Sequence, residues 1–248
     1  MRRTAALLLA ALRCVAVGLS LTGSAAPAVV SPFWSCSSLG RGVVLSYDDG
    51  PGAFTETLLD ELQALNATAS FFVLAALALQ QPDTVRRALA EGHTVGLHSW
   101  SHPNLTALVE ARDWDALRKE VDEAADALQA ITGERPFYFR PPYGAINAEL
   151  RDYLHQRGFA VAMWSSGCID WALTDAHANV VTYVDGMADA GGVICMHDIH
   201  ETSVQGTPEL VAALRSSDGP WVNPQGRRIV SLDECTEREE RESAWNAR

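Results

Sequence analysis

Gly42-Val43-Val44-Leu45-Ser46-Tyr47-Asp48-Asp49-Gly50-Pro51 is the stretch on which the fold turns. Val43, Val44 and Leu45 form a short apolar run rich in β-branched residues, the mark of a buried strand. Two adjacent carboxylates follow, and Gly50-Pro51 turns the chain away. Side chains alternate across a strand, so Asp48 and Asp49 reach one site only if the strand breaks there. Paired acids at a strand's C-terminal edge suggest one metal ligand and one base. The tetrapeptide alone fits an ordinary acidic turn as well.

Outward from that point, apolar runs and helical periodicities alternate. Helices are expected over 54–65, 83–91, 116–131, from 147 or 148 to 157, 179–190 and 207–215. Strands are expected over 69–74, 94–97, 137–140, 159–164, 193–196 and 228–232. The pattern predicts one α/β domain, an irregular (β/α) barrel of about seven or eight strand–helix units. A doubly wound open sheet is the competing architecture, but no Gly-rich phosphate loop follows the first strand.

The chain of 248 residues is long enough to bury a substantial core. A formal charge of -12 and a pI near 4.9 argue against nucleic acid and anionic membranes as partners. Arg2-Arg3, an apolar segment from Ala5 to Leu21 and small residues to Ala26 have the layout of a secretory signal peptide. Residues 1–26 are assigned to it, 27–41 to a lead-in, 42–235 to the domain and 236–248 to a charged tail. A retained anchor is the alternative, Arg13 interrupting the apolar run. No later segment is long and apolar enough to span a bilayer. A secreted, extracellular or wall-associated monomer is expected.

Cys36 and Cys235 flank the domain, and export would favour a disulfide between them. Cys168 and Cys195 read as buried thiols. Asn66-Ala67-Thr68 and Asn104-Leu105-Thr106 are glycosylation sequons.

Every reactive side chain falls where a strand gives out, and in a barrel those ends converge on one face. His98 and His102 stand at i, i+4, which on a helical turn puts both imidazoles within reach of one ion. With an Asp they make a three-ligand site with an open position, suited to zinc or another divalent first-row metal. Arg140-Pro141-Pro142-Tyr143-Gly144 stiffens the backbone and can lock Arg140 beside a carboxylate. His197-Asp198 offers a proton donor near neutral pH.

Taken in order, Ser-Tyr-Asp-Asp-Gly-Pro, His-Ser-x-x-His, Arg-Pro-Pro-Tyr-Gly, Asp-Trp and His-Asp resemble the motifs of the polysaccharide deacetylases, the NodB-homology carbohydrate esterases. The motifs span residues 42 to about 232, and the wording His98-Ser-Trp-Ser-His102-Pro together with the flanking cysteines looks most like fungal-type chitin deacetylases. The resemblance implies Asp48 as general base, Asp49, His98 and His102 as ligands of one divalent metal, zinc or alternatively cobalt, and His197 as general acid. It also implies Arg140 positioning Asp48, Asp170 orienting His197, the Tyr143 N–H facing an oxyanion, and Trp171 and Trp100 lining the sugar or acetyl pocket. The implied reaction is hydrolysis of N-acetyl groups from chitin or its oligomers, releasing acetate. Peptidoglycan, O-acetylated xylan and a non-catalytic carbohydrate-binding module are the alternatives. Three positions depart from the family pattern: Tyr47 replaces a usual Phe, Gly167 stands where an Asp is frequent, and Cys195 where an apolar Leu is usual. His93, His155, His177 and His200 read as structural or solvent-facing.

Overall fold

The computed structural model describes residues 33, 42–185, 191–217 and 226–236. The expected signal segment, Cys36, the rest of the lead-in apart from Phe33, and the tail beyond Thr236 lie outside the described residues. Thr236 itself, assigned to the tail, is buried and shares a hydrogen bond with the Tyr138 hydroxyl.

Strand β1 (Gly42–Asp48) is buried along its whole length, as a parallel strand covered on both faces must be. Val43, Leu45 and Tyr47 pack with the helices, while Val44 packs with Phe72, Tyr138 and Val193 in a second, interior cluster. The remaining strands are β2 (Ala69–Val73), β3 (Thr94–Leu97), β4 (Tyr138–Phe139), β5 (Ala160–Val161), β6 (Ser166–Gly167), β7 (Gly192–His197) and β8 (Arg228–Ile229). They run in the order β5-β4-β3-β2-β1-β7-β6, with β8 beside the start of β1. Every pairing is parallel.

The helices are α1 (Thr55–Ala64), α2 (Ala75–Ala78), α3 (Pro82–Ala90), α4 (Leu105–Glu110), α5 (Trp114–Arg118), α6 (Ala124–Thr132), α7 (Ala148–Gln156), α8 (Ala176–Asp185) and α9 (Glu201–Arg215). They return the chain between successive strands, as a (β/α) barrel requires. The barrel is irregular in one place. β5 runs into β6 through residues 162–165 with no helix between them; these two strands end the strand order, and Phe33 forms a parallel bridge to Ala162 at the close of β5.

Some elements differ from the sequence expectation for clear reasons. The helix expected over 116–131 is continuous from Trp114 to Thr132 but carries a π-helical turn at Lys119–Glu123. Helix α9 begins at Glu201, six residues before the expected start, and runs through Gly206 and Pro208. A Cβ at Gly206 would meet the Ala176 carbonyl at 3.1 Å, so the glycine lets α9 lie close against α8. Leu232, expected to end the last strand, sits in a helical turn.

The departure at Tyr47 has a structural use. Its hydroxyl shares a 2.7 Å hydrogen bond with Thr207 Oγ1 and ties β1 to α9 through the core. Burial pushes the phenol's pKa upward, so it stays neutral. Tyr47→Phe should lower stability by about 1 kcal/mol, the scale of one intramolecular hydrogen bond. A urea melt checks this, and the chemistry of the site should not change.

Candidate active site

Parallel register sets the centre of the site. Asp48 pairs with His197 across β1 and β7, and with Phe72 across β1 and β2. Asp48 ends its strand facing the interior and is 2 % exposed. Asp49 then adopts φ 70°, which breaks the strand's alternation and lets the second carboxylate reach the same pocket. The expectation that the strand must break between the acids is met by this left-handed residue. Beneath the turn lies Asp198. A Cβ on Gly50 would fall 2.2 Å from its Oδ2, so only glycine fits there. Thr55 Oγ1–H donates to Asp198 at 2.6 Å, and burial pushes this carboxyl up to about 7.

Asp49, His98 and His102 converge. Asp49 Oδ1 lies 3.5 Å from His98 Nε2 and 3.3 Å from His102 Nε2. One ligand atom from each lies within 4.8 Å of the others. The histidines are not on a helical turn as their spacing suggested. They bracket an irregular bend in which Ser99 has φ 84° and His102 φ 67°. Ser99 Oγ accepts from the His102 N–H at 2.9 Å. Glu120, on the π-helical turn, accepts from the N–H groups of Trp100 and Ser101 and from the Ser101 hydroxyl. That buried carboxylate holds the bend from behind, and no local sequence signal marks it.

The donor set fits a divalent cation. Asp49 Oδ1 is buried and has no hydrogen-bond partner. His98 Nδ1 lies 2.6 Å from the Arg140 carbonyl, which can only accept. Nδ1 therefore carries the proton, and the Nε2 lone pair faces Asp49. Burial lowers the His98 pKa and favours this neutral form. An N,N,O set suits several first-row divalent ions and selects none of them.

Arg140, fully buried, follows β4 and crosses the barrel interior. Its Nη1 donates to Asp48 Oδ1 at 2.6 Å and to Ser46 Oγ at 2.9 Å. Nε and Nη2 donate to the carbonyls of Ala162 and Met163, both at 3.1 Å. The guanidinium lies 3.9 Å over the Phe72 ring. Asp48 Oδ2 receives the Cys195 thiol at 3.4 Å.

His197 Nδ1 lies 2.6 Å from Asp170 Oδ1, and the His197 N–H donates to Asp170 Oδ2 at 2.8 Å. Ser203 Oγ–H also donates to Oδ2. Burial alone would raise the Asp170 carboxyl; these donors bring it below the ordinary value. Burial likewise opposes charge on His197. The hydrogen bonds to Asp170 and Cys168 outweigh it and push the imidazole up to about 11.

Asp48, Asp49, His98, His102 and His197 line a cavity of about 420 Å³ with Tyr143, Trp164, Cys168, Trp171 and His200. Tyr143 has φ 61°, and its ring packs edge-on against His102 at 4.5 Å. Trp171 is 67 % exposed, with its indole N–H on the Cys168 carbonyl. Trp100 is not among the lining residues: it packs partly buried against the core beside Lys119. His200 does line the cavity, against the His197 ring at 5.7 Å, although its spacing gave no reason to place it there. Trp164 was also missed, its only signal being its place at the end of an expected strand; Cys168, expected to be a buried thiol like Cys195, is instead half-buried and lines the cavity. His93 is structural, accepting from the Ala69 N–H, and His177 pairs with Glu209 at the surface. Both sequon asparagines are exposed, and Asn104 caps α4 through its side-chain oxygen. Cys235 is buried; its expected partner lies outside the described residues.

The parallel barrel thus carries an Asp-His-His cluster able to hold a divalent cation, beside a buried Asp–Arg pair and a His–Asp pair. The family model described as polysaccharide deacetylase matches residues 38–162, and the chain belongs to that family. It is 37% identical over 196 residues to the peptidoglycan-N-acetylmuramic acid deacetylase PdaC of Bacillus subtilis, covering 79% of this chain and 38% of that protein. The chain thus spans well under half the length of that relative. The solved structure of PdaC is similar at TM-score 0.71 and 33% identity, covering 85% of this chain and 97% of that one. The chitin deacetylase of the fungal pathogen Colletotrichum lindemuthianum is similar at TM-score 0.71 and 28% identity, covering 83% and 91%.

Gly167 acquires a physical meaning in this setting. It has φ 86°, and a Cβ there would sit 2.3 Å from the Cys195 carbonyl oxygen. The position has no room for the Asp frequent in the family. Gly167→Ala should therefore cost roughly 2–3 kcal/mol through backbone strain and overpacking, read as a fall in thermal midpoint. An unchanged midpoint would contradict this reading. Asp170→Asn removes the charge that keeps His197 protonated, so the His197 pKa falls. The alkaline limb of the pH–rate profile should then move to lower pH, together with a fall in kcat.

Proposed function

We propose that this chain hydrolyses N-acetyl groups on N-acetylhexosamine units of a polysaccharide, releasing acetate. The observation that carries the reading is the joint placement of Asp48 and His197. They stand opposite each other in register, beside the Asp49–His98–His102 cluster, and each is held by its own buried partner.

Asp49, His98 and His102 would hold one divalent cation, which when bound supplies Lewis acidity toward water and the acetyl carbonyl. Zinc is the ion this reading favours, with cobalt as the alternative. Asp48 takes a proton from the attacking water, its carboxylate fixed by Arg140 and Ser46. Addition of that water's oxygen to the carbonyl carbon leaves an oxyanion, and the Tyr143 N–H is the backbone donor assigned to it. His197 gives its proton to the amide nitrogen as the C–N bond breaks. The free amine remains on the sugar and acetate leaves. Asp170 orients His197 and favours its protonated form. Trp171 offers an exposed aromatic face to a sugar ring.

Both peptidoglycan and chitin carry this N-acetylhexosamine chemistry. Peptidoglycan is favoured by the greater identity to PdaC. Chitin is supported by the likeness to the fungal enzyme and by the His-Ser-Trp-Ser-His wording. The layout of the first 26 residues supports an exported, wall-directed protein.

Acetate release from peptidoglycan, chitin tetramer and acetylxylan tests the reading, with and without chelation and restored zinc. Release from one of the N-acetylated polymers should be abolished by chelation and recovered with metal. Asp48→Asn should lower it by about 10²–10⁴-fold, with the melting profile recorded because Arg140 then loses its buried counter-charge. Release from acetylxylan alone would move the substrate class. No release from any polymer would contradict the enzymatic reading and favour a binding role.

A further inference from the structure

Two thiols that the proposed reaction does not use meet beside the cavity, one lining it and one buried behind it. Cys195 lies on β7 with its side chain fully buried, and its thiol faces Asp48. Cys168 follows Gly167, the residue paired with Cys195 in the β6–β7 ladder. Gly167 at φ 86° and Cys168 at φ 67° turn the chain back over that ladder. The Cys168 N–H consequently donates to the Cys195 carbonyl at 2.6 Å. That single bonded bridge keeps the two Cα atoms under about 7 Å apart, within the reach of a disulfide. The sulfurs belong to a group whose facing atoms all lie within 4.8 Å of one another, with Asp48 and His197 as its other members. Both cysteines are free thiols here.

The two are unequal in access. Cys168 lines the cavity and is partly exposed, whereas Cys195 is sealed in the wall. The Cys195 contact lowers the Cys168 thiol to about 7, while burial raises that of Cys195. An accessible thiol that ionises readily, beside a buried partner, is the arrangement of an attacking and a resolving cysteine.

We propose that Cys168 and Cys195 are a reversible dithiol–disulfide pair, a modification site within the catalytic cavity whose co-reactant is a small disulfide. The Cys168 thiolate attacks one sulfur of the small disulfide, breaking its S–S bond and releasing one thiolate, which takes up a proton. Cys195, losing its proton, then attacks Cys168 Sγ and expels the second thiol. The protein loses two protons and two electrons, and the small disulfide gains them to become two thiols. Bond formation removes the S–H donor from Asp48 Oδ2 and draws Cys168 away from His197. It also ties the segment that carries Asp170 to β7. The consequence for turnover rests on the deacetylase reading; formation of the bond does not.

The experiment uses the full chain incubated with oxidised glutathione, quenched in acid, denatured and alkylated. No Lys or Arg lies between the two cysteines, so cleavage at aromatic residues such as Tyr183 is needed to separate them. Peptide mapping should recover a Cys168–Cys195 linked pair that dithiothreitol separates. Acetate release should fall about tenfold in the oxidised chain, the scale of losing one hydrogen bond to an ionised group, and return on reduction. Cys168→Ser should leave no redox response, whatever its own basal rate. Alkylation of both thiols after oxidation would overturn the proposal. So would glutathione retained on Cys168 with no linked pair, or an equal redox response in Cys168→Ser. If the chain releases no acetate at all, the linked peptide alone decides.

Discussion

A fully buried guanidinium holds this site together. Arg140 meets β1 through Ser46 and Asp48, and meets the segment after β5 through the carbonyls of Ala162 and Met163. That segment is where the ladder is interrupted, because β5 and β6 are not paired. Unpaired carbonyls in a dry interior cost about as much as a lost hydrogen bond each. Arg140 satisfies two of them and closes across the barrel what the sheet leaves open. The Asp48 carboxylate neutralises the charge this requires. A buried ion pair adds little net stability against an apolar substitute, but removing one partner strands the other. The same pair therefore serves the fold and fixes the Asp48 carboxylate at the cavity.

Around that pair, backbone geometry places the other groups. The β1–β7 register sets Asp48 opposite His197, and the left-handed turn at Asp49 brings a second carboxylate over the barrel mouth. Left-handed residues recur where chemistry is presented, at Asp49, Ser99, His102, Tyr143 and Cys168. None is glycine, so each carries strain that packing must offset. Pro141 and Pro142 at the 3-10 turn, Glu120 behind the histidine bend and Asp198 beneath Gly50 supply that support.

Much of this was legible in the chain. Val43-Val44-Leu45 before Asp48-Asp49, and Val193 to Met196 before His197, mark strand ends where reactive side chains gather. The alternation of periodicities gave the barrel. What stayed hidden depends on contacts distant in sequence. Glu120 looks like one more helix carboxylate until the π turn brings it beneath Ser101. Trp100 sits between the two histidines in sequence yet turns away into the core. His200 and Trp164 join the cavity only because the loops after β7 and β5 fold over the same mouth. The early start of α9 and its passage through Gly206 and Pro208 reflect packing on α8, which overrides local propensity. Gly167 departs from the family pattern in sequence, and the backbone there leaves no volume for a side chain.

Among the described residues two clusters offer ligand atoms within 4.8 Å of one another: Asp49, His98 and His102, and Asp48, Cys168, Cys195 and His197. In the proposed reaction the first would hold the cation and the second would carry the proton chemistry. Anomalous diffraction at the zinc edge, from crystals of the reduced chain grown with zinc, separates the two directly. One peak is expected about 2.0–2.2 Å from Asp49 Oδ1 and from Nε2 of both histidines, and none among the thiols. A peak seated between Asp48, Cys195 and His197, with none at Asp49, would contradict this placement.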